Sequence, residues 1–253
     1  MPGSNCGCRW RLEAPVFLTA VTSDADLTVV EVAARGRWSP QLSEELSAVL
    51  RMCLAGPSVS IIVDLRDLAD PAAASLPFWL SLRRRARLVH VVFCLPDGTA
   101  LSRRLRHRQG SHPRVFADVP AARAGIAGRL AHYDRMQARL EPLPASVKAA
   151  RALVTEACQA WHLPGMLEDT WLIVSELAAN AVEHARTDFV VTVSCRGSRL
   201  HVAIHDHAGR FPSPDERELA GERGRGLWLV HAIAAAWGAM PTRDGKVVWA
   251  TVR

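Results

Sequence analysis

The chain has 253 residues, of which 49% are apolar, and carries a net charge of +6. That length sets one large or two small domains, and that apolar share is enough for one or two ordinary cores. No apolar run approaches the roughly 18 residues needed to cross a bilayer, and the segment MPGSNCGCRWRLEAP lacks the long apolar stretch of a secretory signal. A cytoplasmic protein with no membrane contact is therefore expected.

The charge is unevenly placed. Residues 1–140 hold 19 Arg against 12 Asp and Glu, an excess of +7, so the basic character belongs wholly to the first half. It concentrates in Arg83-Arg84-Arg85-Ala86-Arg87 and in Arg103-Arg104-Leu105-Arg106-His107-Arg108. Such runs are ordinarily solvated helix faces, with an acidic partner as the sharper alternative. Aromatic residues nearby are too sparse for a base-stacking platform, so direct nucleic-acid binding is not expected. The six cysteines at 6, 8, 53, 94, 158 and 195 read as buried, reduced thiols. Cys6 and Cys8 are too close together for the usual zinc-ligand spacing.

In chain order, Phe17 to Thr22 and Leu27 to Ala34 read as a hairpin of two strands. Ser39-Pro40 supplies an N-cap and a first-turn proline for a helix reaching about Ala55. Ser60 to Leu65 is an almost continuous apolar run, the pattern of a strand buried on both faces. Further elements follow: a helix over 72–86, a strand over 89–95, a helix over 99–109, a short strand at 114–116 and a helix from Val119 to Arg139. This alternation implies a mostly parallel sheet with covering helices, hence an α/β class. With its opening hairpin, GRWSPQLSEEL entering a helix and VDLRDL ending a buried strand, the region 15–140 resembles a STAS domain, the fold of anti-sigma-factor antagonists.

Glu141-Pro142-Leu143-Pro144 cannot continue a helix and reads as a linker. After it, helices are expected over 146–161 and 167–185, strands over 189–195 and 200–206, a helix over 226–237 and a closing strand over 245–252. Together these make a two-layer α/β sandwich spanning 144–253.

The second of those helices carries Ser175-Glu176-Leu177-Ala178-Ala179-Asn180-Ala181-Val182-Glu183-His184-Ala185. Glu176, Asn180 and His184 recur every four residues and form one polar stripe on a helix. A carboxylate and an amide oxygen on one face can hold a hard divalent cation and a water. Asp206 ends a strand on its apolar face, where an unpaired charge is costly; a purine exocyclic amine is a suitable partner. Gly221-Glu222-Arg223-Gly224-Arg225-Gly226-Leu227 opens a helix, and glycines at a helix N-terminus suit close approach of phosphate.

In that order, these features resemble the GHKL (Bergerat-type) ATPases, most closely the anti-sigma-factor serine kinases. SELAANAVEHA is similar to the N box, Asp206 to the adenine-reading aspartate, Gly224 and Gly226 to the second glycine box, and GKVVWATV to the closing strand. The resemblance implies ATP and Mg2+ as cofactors, with Asn180 ligating the metal and Glu176 as the general base. It places His184, Gly209, Arg223, Gly224, Gly226 and Leu227 about the nucleotide. One departure stands out: where the first glycine box reads Asp-x-Gly-x-Gly, this chain has Asp206-His207-Ala208-Gly209-Arg210, with Gly209 out of register.

The resemblance implies a serine/threonine protein kinase of the anti-sigma type. Its partners would be a STAS-type antagonist, a sigma factor or both, and a homodimer is left open. The alternative is a nucleotide-gated binding protein without phosphotransfer, which the altered glycine box favours. A sensor histidine kinase does not fit, since no phosphoacceptor His precedes an acidic residue on a dimerisation helix pair. The loop from Gly209 to Arg223 is long for a connection and reads as a lid, with Arg217 and Arg223 as phosphate contacts. His201, His205 and His207 share a strand face away from the nucleotide, where exposed or interface histidines are expected ahead of a metal site. In the first domain, Ala72, Ala73 and Ala74 occupy positions where STAS antagonists carry their aspartate and acceptor serines, so only Ser75 retains a hydroxyl.

Overall fold

A computed structural model describes residues 19–24, 28–86, 88–107, 114–130, 134–209 and 225–253. The described residues form two compact units: one over 19–54 and 58–130, the other over 134–253 together with 55–57. Among the described residues no helix is long and apolar enough to cross a membrane.

The first unit is built on a five-stranded sheet. Its strands are β1 (Thr19–Ser23), β2 (Val29–Ala34), β4 (Ser60–Asp64), β6 (His90–Cys94) and β7 (Val115–Phe116), in the order β1-β2-β4-β6-β7. Only the β1–β2 hairpin is antiparallel; β2, β4, β6 and β7 run parallel, as the alternating pattern implies. A small parallel pair joins β3 (Gly36–Arg37) to β5 (Leu68–Ala69). Helix α1 (Pro40–Ala55) starts where Ser39 Oγ accepts the Leu42 N–H at 3.2 Å, the expected N-cap. It buries Leu42, Leu46, Val49 and Leu50. Helix α4 (Val119–Leu130) puts Ala122 and Ile126 on Val29, Ile62, Val92 and Cys94.

The helix expected over 72–86 is shorter. Helix α2 is Leu76–Arg85, and Ala73 is left-handed at φ 53°. Asp70 explains the delay, since its carboxylate accepts the N–H groups of Ala74 and Ser75 and holds residues 70–75 in a turn. Ser75 is fully buried, donating its hydroxyl to Asp70 Oδ2 at 2.5 Å and accepting the Trp79 Nε1–H at 2.8 Å. Of the two arginine runs, Arg84 and Arg85 on α2, and Arg103, Arg104 and Arg106 on α3 (Ala100–His107), are exposed. They form the solvated faces expected of them. Cys53, Cys94 and Cys158 are buried free thiols, and burial pushes the first two up to about 12; Cys195 is only half-buried. Cys6 and Cys8 lie outside the described residues.

The second unit has five antiparallel strands in the order β11-β12-β10-β9-β8. They are β8 (Arg135–Leu140), β9 (Phe189–Arg196), β10 (Arg199–Asp206), β11 (Ala236–Pro241) and β12 (Lys246–Val252). Helices α5 (Pro144–Ala160), α6 (Leu167–Asn180) and α7 (Arg225–Ile233) share a core with one sheet face. Ala150, Val154, Ile173, Leu177 and Val230 meet Val191, Val193, Val202, Ile204 and Ala250 there. This is the two-layer sandwich the sequence implies.

Two strands of this unit differ from expectation. The helix expected to reach Arg139 ends at Leu130, and Arg135–Leu140 pairs with β9 instead. Glu141–Pro144 thus connects β8 to α5 inside the second unit. The helix expected over 226–237 ends at Ile233, and Trp237 lies in β11, paired with Ala250.

Candidate functional site

Helix α6 buries Ile173, Val174, Leu177 and Ala178, which leaves Glu176 and Asn180 half-buried at its margin. After Asn180 the winding changes. Ala181–Ala185 is a π-turn, closed by the Arg186 N–H on the Ala181 carbonyl at 3.1 Å, with Arg186 left-handed at φ 55°. The spacing of four assumes 3.6 residues per turn, and that assumption ends at Asn180. Glu176 and Asn180 therefore keep their shared face, while His184 is an exposed side chain on the widened turn.

Gly226, in the first turn of α7, lies directly on Glu176. A Cβ added there would overlap Glu176 Oε2 and stand 3.2 Å from its Cδ. A larger residue there would have to displace the Glu176 carboxylate, which sits at a helix N-terminus, where a negative charge is favoured. Asn180 Nδ2 is buried without a hydrogen-bond partner among the described residues. Such an orphan is costly unless a ligand or water satisfies it.

Asp206 ends β10 and is only 3% exposed. Its partner within the chain is Lys246, which stands opposite it in the β10–β12 register. Lys246 Nζ donates to Asp206 Oδ1 at 2.7 Å and to the Ala208 carbonyl at 3.2 Å, while the Ala208 N–H donates to the same Oδ1 at 2.9 Å. Sequence reasoning missed Lys246. The available signal was a lysine just after the Gly245 turn, at the strand start that must face the end of β10.

The remaining expected site residues divide. Leu227 packs against the hydrophobic core. Gly209 is exposed, and a Cβ there would meet nothing within 4 Å among the described residues. Arg217, Arg223 and Gly224, and with them the expected lid beyond Gly209, lie outside the described residues.

Residues 140–252 match the family model of the histidine kinase-like ATPase domain. The chain is also similar to a solved structure of the RsbU and RsbW domains of Rv1364c from Mycobacterium tuberculosis, at 19% identity and a TM-score of 0.37. That match covers 47% of this chain and 32% of the other, so the chain spans about a third of that protein's length. No curated protein is significantly similar to the chain.

The far sheet face of the second unit corrects one expectation. His201 and His205 are buried, and only His207 is exposed. His201 Nδ1 lies 2.8 Å from Thr251 Oγ1, and its Nε2 has no partner among the described residues. Burial, with the charges of Arg196 and Arg199 adding to it, pushes His201 down to about 3. The unfolded chain then takes up a proton near pH 6.5 that the folded chain refuses until about pH 3. Stability should consequently fall as pH drops through that window, by about 2 kcal/mol at pH 5 from this group alone. Thermal melts at pH 7 and pH 5 check it. His201→Gln should show a shallower pH dependence than the wild type, and an equal slope would exclude His201 as the source.

Proposed function

We propose that the histidine kinase-like ATPase domain binds ATP with Mg2+ and acts as a serine/threonine kinase of the anti-sigma type in partner switching, with the first unit a STAS-like dock. The observation that carries this reading is the buried Asn180 Nδ2, unpartnered among the described residues, on the same helix face as Glu176, which is set against the start of α7.

The residues fit a magnesium–nucleotide complex. Rotation of the Asn180 amide about its last bond exchanges Nδ2 and Oδ1, so the same buried corner can present an oxygen to a hydrated cation. Magnesium, when bound, would neutralise charge on the transferring phosphoryl group. Glu176 would accept the proton of the attacking serine or threonine hydroxyl, and the N–H groups at the start of α7 would face the phosphates. Lys246 holds Oδ1 of Asp206, so a base amine would be read by Oδ2.

Calorimetry on the full chain tests the binding half. Wild type should bind ATP more tightly with Mg2+ than without, and Asn180→Ala should remove that difference. No ATP binding by the wild type at millimolar nucleotide would overturn the reading.

A STAS-like first unit would not itself be the phosphoacceptor, because Ala72, Ala73 and Ala74 lack hydroxyls and the Ser75 hydroxyl is buried between Asp70 and Trp79. The acceptor would then be a STAS-type antagonist on another chain, with a sigma factor as the other partner. A second reading, nucleotide-gated binding without phosphotransfer, is favoured by the Lys246 ammonium on Asp206 and by Ala208 and Arg210 in the glycine box.

A further inference from the structure

His205, at the end of β10, and His207, just beyond it, stand with ring centroids 5.1 Å apart. The turn between β11 and β12 brings Asp244 against both. Its Oδ1 lies 3.2 Å from His205 Nε2 and its Oδ2 3.5 Å from His207 Nδ1. The ligand atoms of the three side chains all fall within 4.8 Å of one another. Two nitrogen or oxygen ligands of one tetrahedral zinc ion, each about 2.0–2.1 Å from the metal, are about 3.3 Å apart. Adjacent ligands of octahedral magnesium are closer, at about 3.0 Å. The two histidine–carboxylate separations, each to a different oxygen of Asp244, lie close to the tetrahedral spacing, and imidazole nitrogen suits borderline transition metals better than magnesium.

The cluster is also held in place. His205 is buried, with Nε2 3.2 Å from Thr242 Oγ1, and Thr242 Oγ1 donates to Asp244 Oδ1 at 3.2 Å, orienting the carboxylate. A Cβ at Gly245 would overlap the Asp206 carbonyl oxygen, so the turn is seated directly on the end of β10. His207 and Asp244 are 42% and 59% exposed, which leaves a path for an ion and a coordination position open to solvent. Asp206, between the two histidines, is engaged by Lys246 instead.

We propose that His205, His207 and Asp244 form a binding site for a divalent transition-metal ion of the zinc class. The proposal rests on this three-residue geometry and does not depend on nucleotide binding at the neighbouring Asp206. With its ion bound, it clamps the Thr242–Gly245 turn onto the end of β10, beside the Asp206–Lys246 pair.

The test is zinc titration of the full chain against a chromogenic chelator, repeated with cobalt for its visible spectrum. Wild type should take up one ion per chain with micromolar or tighter affinity. His207→Ala and Asp244→Ala alter exposed side chains, so both should fold while weakening binding by at least about tenfold. A Cys6→Ser/Cys8→Ser variant should bind as wild type does, and the cobalt spectrum should lack thiolate charge-transfer bands. The proposal is overturned if wild type takes up no ion at about 100 µM zinc. It is equally overturned if both single variants bind like wild type, if the cysteine variant loses binding, or if thiolate bands dominate.

Discussion

Replacing Lys246 by methionine is expected to destabilise the second unit by about 3–5 kcal/mol, the typical effect of leaving one member of a buried ion pair uncompensated. Asp206 and Lys246 are 3% and 6% exposed, so water cannot take the place of the lost ammonium. The variant also removes the donor to the Ala208 carbonyl, freeing the chain just beyond β10. Against a usual total stability of about 5–15 kcal/mol, this is a large share. It should appear as a fall in melting temperature on the order of 10 °C. The double variant Asp206→Leu/Lys246→Met should recover much of the loss, since a well-packed apolar pair can replace a buried ion pair at little net cost. Paired denaturant titrations of single and double variants decide the matter. A single variant within about 1 kcal/mol of wild type would mean that the pair does not neutralise Asp206 as the geometry requires.

Glu176→Gln is expected to reduce phosphotransfer to an antagonist domain by about 10²–10⁴-fold, the usual contribution of a positioned general base. ATP affinity should stay within about tenfold, or about 1.4 kcal/mol, because the proton is accepted only on the way to the transition state. Glutamine keeps the shape that Gly226 packs against, so the start of α7 is preserved. Glu176→Ala would confound the chemistry with a void at that contact. Labelled ATP with Mg2+ and candidate antagonist domains, read as phosphoserine, supplies the measurement. Equal rates for wild type and Glu176→Gln would remove the catalytic assignment. A wild type that binds ATP but modifies no antagonist would leave the nucleotide-gated binding reading in its place.

Several elements were legible because the determining interactions are local. Ser39-Pro40 announced α1 through a cap and a fixed φ. SIIVDL announced β4 because only a strand covered on both faces is apolar at every position. Glu176 and Asn180 shared a face because both lie within regular α-helical winding. The two missed strands of the second unit, β8 and β11, lack such signals. Met136, Ala138 and Leu140 alternate with Arg135, Gln137 and Arg139, but the run is six residues long and follows a real helix. β11 contains Gly238 and Pro241, which ordinarily argue against a strand. It is held by pairing along β12, with Gly238 lying close to the Trp249 ring.

The sequence by itself determined the α/β class, the order of the main elements, and the polar face and strand-end aspartate of the candidate site. Periodicity, caps and residue chemistry are properties of neighbours in the chain. Only the tertiary structure decided who satisfies whom. It placed Lys246 on Asp206 across 40 residues, Gly226 on Glu176 across 50, and Asp244 between His205 and His207. It also unwound the helix into a π-turn at Ala181–Ala185 and buried His201 and His205. These outcomes depend on strand register and on the burial of charge, which are set by packing between distant segments and leave no periodic trace in the chain.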